Sequence, residues 1–444
     1  YGTAVGANAM TVSTGERNTA LGAYALYRNT SGVRNTAMGV NALRDQTIGI
    51  FNTAMGSDAM MHNVYGSRNV AVGDSALAMN SMDGNTALGS WALRQNTIGF
   101  SNAAVGYRAL GANTTGSENT AVGYATLNMN SVGSQSTAVG AFALGSSTGE
   151  QNTATGAHAL RSNTTGFMNT AVGVSALRHN TSGFYNTAMG VDALQQSVSA
   201  VYSTAIGISA LRNNVHGGYN TAVGGDALKA NIGGENTALG AFALNNLTTG
   251  SNNIAVGTFA STDLTTGNSN ISMGNYSGPQ SANLSNTIAI GYSTAVASDH
   301  SARIGNTSTS EIGGYVGWTT LSDERFKTDQ RSDVPGLAFI QALEPLTYHM
   351  EIGKLNAHMY GSGDTLFNDA VSQEGIRQKE LVRYSGFSAQ AVERAAQAVG
   401  YEFSGVRRPA TAQDHYGLRY AEFVVPLVKS VQELAERNAG ELFR

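Results

Sequence analysis

Along the first 310 residues, apolar and polar positions recur every 16 or 17 residues, neither at helical spacing nor as a simple alternation. One glycine marks the period, from Gly6, Gly22, Gly39 and Gly56 through to Gly257, Gly274 and Gly291. A typical unit reads Asn35-Thr36-Ala37-Met38-Gly39-Val40-Asn41-Ala42-Leu43, with a polar stretch following through Gly49. Asn169-Thr170-Ala171-Val172-Gly173 and Asn236-Thr237-Ala238-Leu239-Gly240 repeat it. Thr-Ala followed by Val, Met or Leu predicts a short strand whose side chains alternate between faces. The glycine predicts a tight turn or a close backbone approach. Asn113–Gly116 and Asn163–Gly166 predict turns in which Asn and Gly adopt positive φ. Propeller blades and helical hairpin repeats need roughly 33 to 50 residues, so this unit predicts one coil of a parallel β-solenoid.

Stacking such coils aligns equivalent positions. Leu26, Leu43, Leu77, Leu93, Leu110 and their successors to Leu244 form one apolar ladder, and Ala20, Ala37, Ala54, Ala71 and Ala87 begin a narrower one. The alanine and glycine row is expected to lie against another chain, because small residues permit close approach. A coil with so little apolar volume is expected to gain the missing burial in a homotrimer. A threonine row at Thr19, Thr36, Thr53, Thr86 and Thr120 is similar to ice-binding solenoids, but Val70 and Ala103 interrupt it and the strand alternation is expected to bury it. His62, His158, His179 and His216 occur singly, so no metal or catalytic role is assigned to the repeats, and no calcium-binding nonapeptide is present. The turn residues Tyr65, Phe100, Phe167 and Tyr185 vary from coil to coil and form a candidate contact surface.

The repeat pattern resembles the left-handed β-roll repeats in the heads of trimeric autotransporter adhesins. The likeness is clearest in Asn286-Thr287-Ile288-Ala289-Ile290-Gly291 and Ala302-Arg303-Ile304-Gly305-Asn306, although the coils here are longer than those of that family. The resemblance implies a trimeric solenoid.

Composition then divides the chain. Residues 1–310 hold 12 basic and 12 acidic residues and 41 of the 54 glycines; residues 311–444 hold 14 basic and 18 acidic residues in 134 positions. The charged fraction therefore rises about threefold near residue 310, which predicts a shaft over 1–310, a linker over 311–321 and a C-terminal domain over 322–444. The net charge of −4 points away from nucleic acid as the main partner. No apolar run approaches the roughly 20 residues of a membrane span, so no membrane insertion is expected. The absence of cysteine removes disulfides and thiolate sites. Tyr1 lies inside a repeat, and the chain is expected to begin partway through a longer protein.

Beyond Gly305 the repeat dissolves into Ser322-Asp323-Glu324-Arg325-Phe326-Lys327. Taken alone, Ser322 ahead of two acidic residues suits a helix N-cap. In this position the motif resembles the opening of the endosialidase-type C-terminal intramolecular chaperones, which are serine–lysine autoproteases. Three further segments carry the resemblance in the family's order. These are Leu337–Tyr348, read as a short helix running into a strand; Gly386–Glu393, a glycine–aromatic turn into a helix; and Leu418–Val428, which opens the last helix. Phe326 replaces the family's usual leucine, Ser388 and Ala391 replace its usual residues around Ala-Gln, and little aligns between Tyr348 and Tyr384.

The resemblance implies scission of the Leu321–Ser322 bond, with Ser322 as nucleophile and Lys327 as base, and with Asp323 and Arg325 as supporting motif residues. An alcohol needs a base within hydrogen-bond reach, and a lysine serves when burial or nearby positive charge favours its neutral form. Arg325 and Arg331 are the candidate neighbours. Five residues on a straight α-helix place two side chains about 140° apart. Ser322 therefore either precedes the helix on an extended segment, or the lysine comes from a neighbouring chain. Val424, Val428, Val431, Leu434 and Leu442 predict an apolar stripe on a terminal helix that suits a coiled coil.

The expected whole is a mainly β protein, a trimeric parallel β-solenoid followed by a smaller α+β domain ending in a long helix. The expected function is that of an extracellular fibre or adhesin, on a virion tail, an injection apparatus or a bacterial surface. It has a cell-surface receptor or glycan as partner, no cofactor and a single self-cleavage. The alternative is a ligand- or ice-binding solenoid with a non-cleaving cap. A multiple-turnover glycan hydrolase would need paired carboxylates, and the repeats carry no recurrent pair.

Overall fold

The computed structural model describes residues 1–361, 367–412 and 414–442. The chain packs into two compact units, Tyr1–Asn286 and Thr287–Arg444. The first is a parallel β-solenoid of three-residue strands, β1 (Thr3–Val5) through β17 (Ile271–Met273), one per coil, followed by the two-residue β18 (Gly278–Pro279). Successive strands pair in parallel and in register, so Thr36, Ala37 and Met38 lie over Thr53, Ala54 and Met55. At the usual spacing of about 4.8 Å per parallel strand the row is roughly 75 Å long.

The periodic glycines are required twice over. Gly106 has φ of +129°, and a Cβ there would stand 2.4 Å from the carbonyl oxygen of Gly123 one coil on. Other left-handed positions are not glycine: Asn41, Leu43 and Phe51 have φ of 60°, 51° and 59° within a single coil. Such a conformation costs about 1–2 kcal/mol per residue. Coil-to-coil hydrogen bonds offset it. The Asn41 amide donates to Ala23 O at 2.9 Å and that of Leu43 to Ala59 O at 3.0 Å.

The alanine row does not face another chain. Ala37 and its equivalents are fully buried inside their own coil, beside Ala42 and Leu43. A three-residue strand turns its first and third side chains outward, leaving only the central one to point into an interior wide enough for a methyl group. The threonines therefore face outward and are partly exposed, contrary to the burial expected of them. They share that face with Met55, Leu88, Met189 and Met273, all substantially exposed.

Two buried amide ladders complete the interior. Asn52 donates through Nδ2 to Gly66 O at 2.8 Å, and its Oδ1 accepts the backbone amide of Asn69 at 3.0 Å. Asn113 belongs to the second ladder, donating to Asn96 Oδ1 at 2.7 Å and to Gly116 O at 2.9 Å. Asn113 and Asn163 are thus buried struts and not the positive-φ turn residues expected; positive φ falls instead on residues such as Glu118 and Tyr185, just ahead of the strand-leading Asn. The side-chain amide closes the turn, so the backbone at Asn113 has no need to do so.

The second unit begins with the last coils, β19 (Ile288–Ile290), β20 (Ala295–Val296) and β21 (Ala302–Ile304), with β19 and β21 paired in parallel. The compact division therefore falls ahead of the composition step near residue 310. Then follow α1 (Leu337–Gln341), β22 (Leu346–Tyr348), α2 (Ile352–Tyr360), α3 (Ala370–Leu381), β23 (Tyr384–Gly386), α4 (Ala389–Ala398), β24 (Val406–Arg407), β25 (Gly417–Leu418) and α5 (Val424–Leu442). Strands β22 and β23 pair antiparallel, as do β24 and β25. Phe339 of α1, Val392 of α4 and Phe423 form the main core, with Tyr401 and Phe403 against them. Helices α2 and α3 hold the coil end. Tyr360 donates to Ser293 O at 3.0 Å, and Lys379 Nζ donates to the carbonyls of Thr307 and Thr309, each at 3.0 Å.

Two outcomes follow from this packing. Asn102→Ala leaves the Asn119 amide without its partner and the Gly116 carbonyl with Asn113 alone, and should cost about 1–3 kcal/mol. Asn102→Ser should cost less, since serine already fills the ladder at Ser136 and Ser203; hydrogen exchange of the neighbouring coils distinguishes them. In the second unit, burial raises the Asp414 carboxyl, but Arg407 at 2.5 Å and backbone amides outweigh it and hold the group at about 2. A folded value below the unfolded one near 3.9 contributes stability above that range and loses it as pH falls toward 2. Asp414→Asn should flatten that acid dependence in denaturant titrations.

Candidate functional site

Residues 311–323 run without regular secondary structure into one 3-10 turn, Glu324–Phe326. The turn forms because Asp323, extended at φ −77° and ψ 127°, accepts the Arg325 amide at 3.0 Å through Oδ1. The Arg325 guanidinium also donates to both oxygens of Asp323, the shortest contact being 2.6 Å. That guanidinium, with the Arg325 amide, holds the Asp323 carboxyl below the usual carboxylate range. The cap is therefore Asp323, one residue after the serine that the sequence suggested. A carboxylate with an arginine two residues on is held in place better than a hydroxyl.

Because Asp323 caps the turn, Ser322 stays on the extended approach. Lys327 closes the turn with its amide on Glu324 O at 3.0 Å, and its side chain reaches back across it. Lys327 Nζ donates to Ser322 Oγ at 2.9 Å. Of the two geometries that the five-residue spacing left open, the chain adopts the first: serine ahead of the turn, with the lysine from the same chain.

The surroundings are open. Ser322 and Lys327 are exposed, as are Leu321 at 79 % and Trp318 at 90 %. Arg325 and Arg331 do not direct positive charge at the lysine. Each is paired with the aspartate two residues before it, Asp323 and Asp329, at 2.6 and 2.7 Å. No protein-family model matches the chain, and no curated protein is similar to it. The chemistry of this segment rests on its own residues.

Helix α5 carries a second feature. It buries Pro426 and Ser430, while Val424, Leu427, Val428, Val431 and Leu434 form a stripe that is 43–65 % exposed. The side chain of Leu442, assigned to the same stripe, lies outside the described residues. Elsewhere, His62 Nδ1 meets Asp45 Oδ2 of the preceding coil at 2.7 Å. Among the described residues no cluster of three or more His, Asp and Glu is placed to hold a metal ion. Among the described residues no helix is long and apolar enough to cross a membrane.

Sequence reasoning missed Lys379 and Asn356, which bind the coil end, because nothing between Tyr348 and Tyr384 offered a pattern. It also missed that the surface aromatics stack. Phe167 and Phe184 lie 4.9 Å apart, and Tyr185, Tyr202 and Tyr219 follow at 5.0 and 5.1 Å. Their recurrence at matching places in successive coils is a readable signal.

The turn itself is testable. Asp323→Ala should speed amide exchange at Arg325 and Lys327, whereas Asp323→Asn, still a good cap, should largely preserve protection.

Proposed function

We propose that the chain is a trimeric surface fibre whose C-terminal segment, residues 322–444, templates assembly and then severs the Leu321–Ser322 bond once. The observation that carries the reading is the 2.9 Å hydrogen bond between Lys327 Nζ and Ser322 Oγ. It supplies the nucleophile–base contact that a hydroxyl needs, and it agrees with the resemblance to the serine–lysine intramolecular chaperones. In the reaction, neutral Lys327 takes the Ser322 hydroxyl proton while Oγ bonds to the Leu321 carbonyl carbon. The peptide C–N bond breaks as the lysine returns the proton to the departing amine, leaving Leu321 esterified to Ser322 Oγ. Water then cleaves the ester, giving a Leu321 carboxylate and a Ser322 α-amine.

A lysine accepts a proton only as the neutral amine. Positive charge from Arg325 and Arg331 is already balanced by aspartates, so desolvation is the remaining means of favouring the neutral amine. A neighbouring chain laid over the exposed Trp318–Lys327 segment would supply it, which couples scission to assembly. The solvent-facing apolar stripe on α5 supports such an assembly, since its Val424, Val428 and Val431, four and then three residues apart, match the spacing of a coiled-coil seam. The location follows from the reading: an extracellular fibre of a virion, an injection apparatus or a bacterial surface, with a receptor or glycan as its partner.

The outward threonine row favours a second reading, a ligand- or ice-binding solenoid with a permanent cap. Its regularity is broken by Val70, Ala103, Ile254 and Ile271 in the threonine position.

Intact mass under denaturing conditions decides between them. Wild type should yield fragments ending at Leu321 and beginning at Ser322, whereas Ser322→Ala and Lys327→Ala should each stay full length. A full-length mass from folded, trimeric wild type would establish the capped solenoid instead. Cleavage should also slow on dilution below the assembly range; an unchanged rate in monomer would remove the coupling to assembly.

A further inference from the structure

Just after the periodic glycine, five consecutive coils place aromatic rings in one continuous file. Trp91 stacks on Tyr107 at 5.8 Å and Tyr107 on Tyr124 at 5.6 Å; Tyr124 meets Phe142 edge-on at 5.2 Å, and Phe142 stacks on His158 at 5.4 Å. Trp91 is oriented by its Nε1 donating to Asp74 Oδ2 at 3.2 Å. Guanidinium groups lie on these rings. Arg108 sits 4.6 Å from the Trp91 ring and 5.3 Å from that of Tyr107, Arg94 lies 5.1 Å from Trp91, and Arg161 lies 5.2 Å from Phe142. Trp91, Arg94 and Arg108 also line a cleft of about 180 Å³.

The charge arrangement distinguishes this stretch from the rest of the same corner. Elsewhere three of the bases there are balanced locally, Arg44 by Asp45 at 2.8 Å, Arg212 by Asp192 at 3.9 Å and Lys229 by Asp226 at 3.1 Å, while Arg178, in the coil after His158, extends the unpaired series. Among the described residues no carboxylate is paired with Arg94, Arg108 or Arg161. The acids between Gly84 and Val191 are Glu118 and Glu150, which stand just ahead of their strands and not after the glycine, and the carboxylate at the near end of the file, Asp74, accepts from the Trp91 indole. A guanidinium stacked on a ring is held in place with its N–H edge outward, the geometry that accepts a carboxylate. The file thus offers apolar ring surface with ring-stacked cations that carry no ion pair among the described residues.

We propose that this corner, from Trp91 to His158, binds an extended acidic polysaccharide lying along the solenoid, its carboxylates on Arg94, Arg108 and Arg161 and its sugar C–H faces on the rings. The choice of a polysaccharide over another polyanion rests on the surface-fibre reading. A single-stranded nucleic acid offers a similar alternation of rings and anions, and the test separates the two.

Binding of labelled oligogalacturonate and oligosialic acid to the full chain, followed by fluorescence anisotropy, tests the proposal. At least one should bind wild type, and neutral dextran should not. Arg94→Gln and Arg108→Gln should each weaken binding by about tenfold or more, the loss of one charged hydrogen-bonding partner. Arg212→Gln, on the same corner but paired with Asp192, should leave it unchanged. Both arginines lie on the surface, so equal melting temperatures show that the fold is intact. If neither acidic probe binds, or if Arg108→Gln binds as wild type does, the proposal fails. Oligothymidylate bound as tightly as either would overturn the assignment to polysaccharide. Scission at Leu321–Ser322, read by mass on the same wild-type sample, reports on the fibre reading separately. Lost binding with intact scission defeats this inference alone, and binding without scission defeats the maturation step alone.

Discussion

Hydrogen bonding from coil to coil is the constraint on which the solenoid depends. The amide of Asn41 looks back to Ala23 and that of Leu43 looks forward to Ala59. The side chain of Asn52 ties into Asn69 and Gly66 on the next coil. A coil holds few bonds of its own beyond its turns, and the apolar part of its interior is two alanines and a leucine. It cannot stand alone. Burial is thin, so directional bonds carry the specificity, and an interior amide without a partner is costly. The same demand explains the conformations. Left-handed leucines and asparagines are tolerated because they turn N–H and C=O groups onto the solenoid axis, and the glycine is needed where no Cβ fits between coils.

Such an architecture is quasi-one-dimensional, and each coil recognises its neighbours through nearly the same groups. Slippage by a whole coil exchanges like for like, because Thr-Ala-Val over Thr-Ala-Val pairs as well one coil up as one coil down. A device that sets the start of the stack must therefore be unlike the stack. In the second unit the last strands, β19 and β21, are packed with groups that have no counterpart in the repeat. Tyr360 bonds Ser293, and Lys379 binds the carbonyls of Thr307 and Thr309. A lysine donating to two particular carbonyls marks one coil end and no other. The helical part of the chain thus marks the place where the repeat stops, and on the proposed reading it is there that it acts on register.

The repeat, its coil length and the strand in each coil were legible because glycine at positive φ and alternation in Thr-Ala-Val are local requirements. Inside and outside were less so. Alanine suits a close chain contact and a narrow interior equally well, and the strand's three-residue length, which decides the matter, shows only in the paired structure. The asparagines misled for a related reason: Asn is at home in turns, yet Asn113 serves by its side chain from a buried site. At the candidate site, the spacing of Ser322 and Lys327 correctly excluded a shared helical face. It assigned the cap one residue early, since Ser322 and Asp323 are both good caps and only the Asp323–Arg325 pair separates them. The Lys379 contact was beyond reach, as it joins residues some 70 positions apart without a motif.

The openness of the serine–lysine pair follows from the same economy. A base kept dry within one chain would cut its own backbone as soon as the turn at Glu324–Phe326 formed, before the coils were in register. An exposed Lys327 beside an exposed Ser322 holds the geometry ready while water still reaches both groups. On the proposed reading, the partner chains that complete the solenoid also exclude that water, so order in the shaft precedes loss of the template. Scission then removes the continuous chain through which register was set. The coil-to-coil bonds, each weak singly, are left in a stack that has no easy route to reassemble. Its persistence is then governed by the rate of unfolding and not by equilibrium.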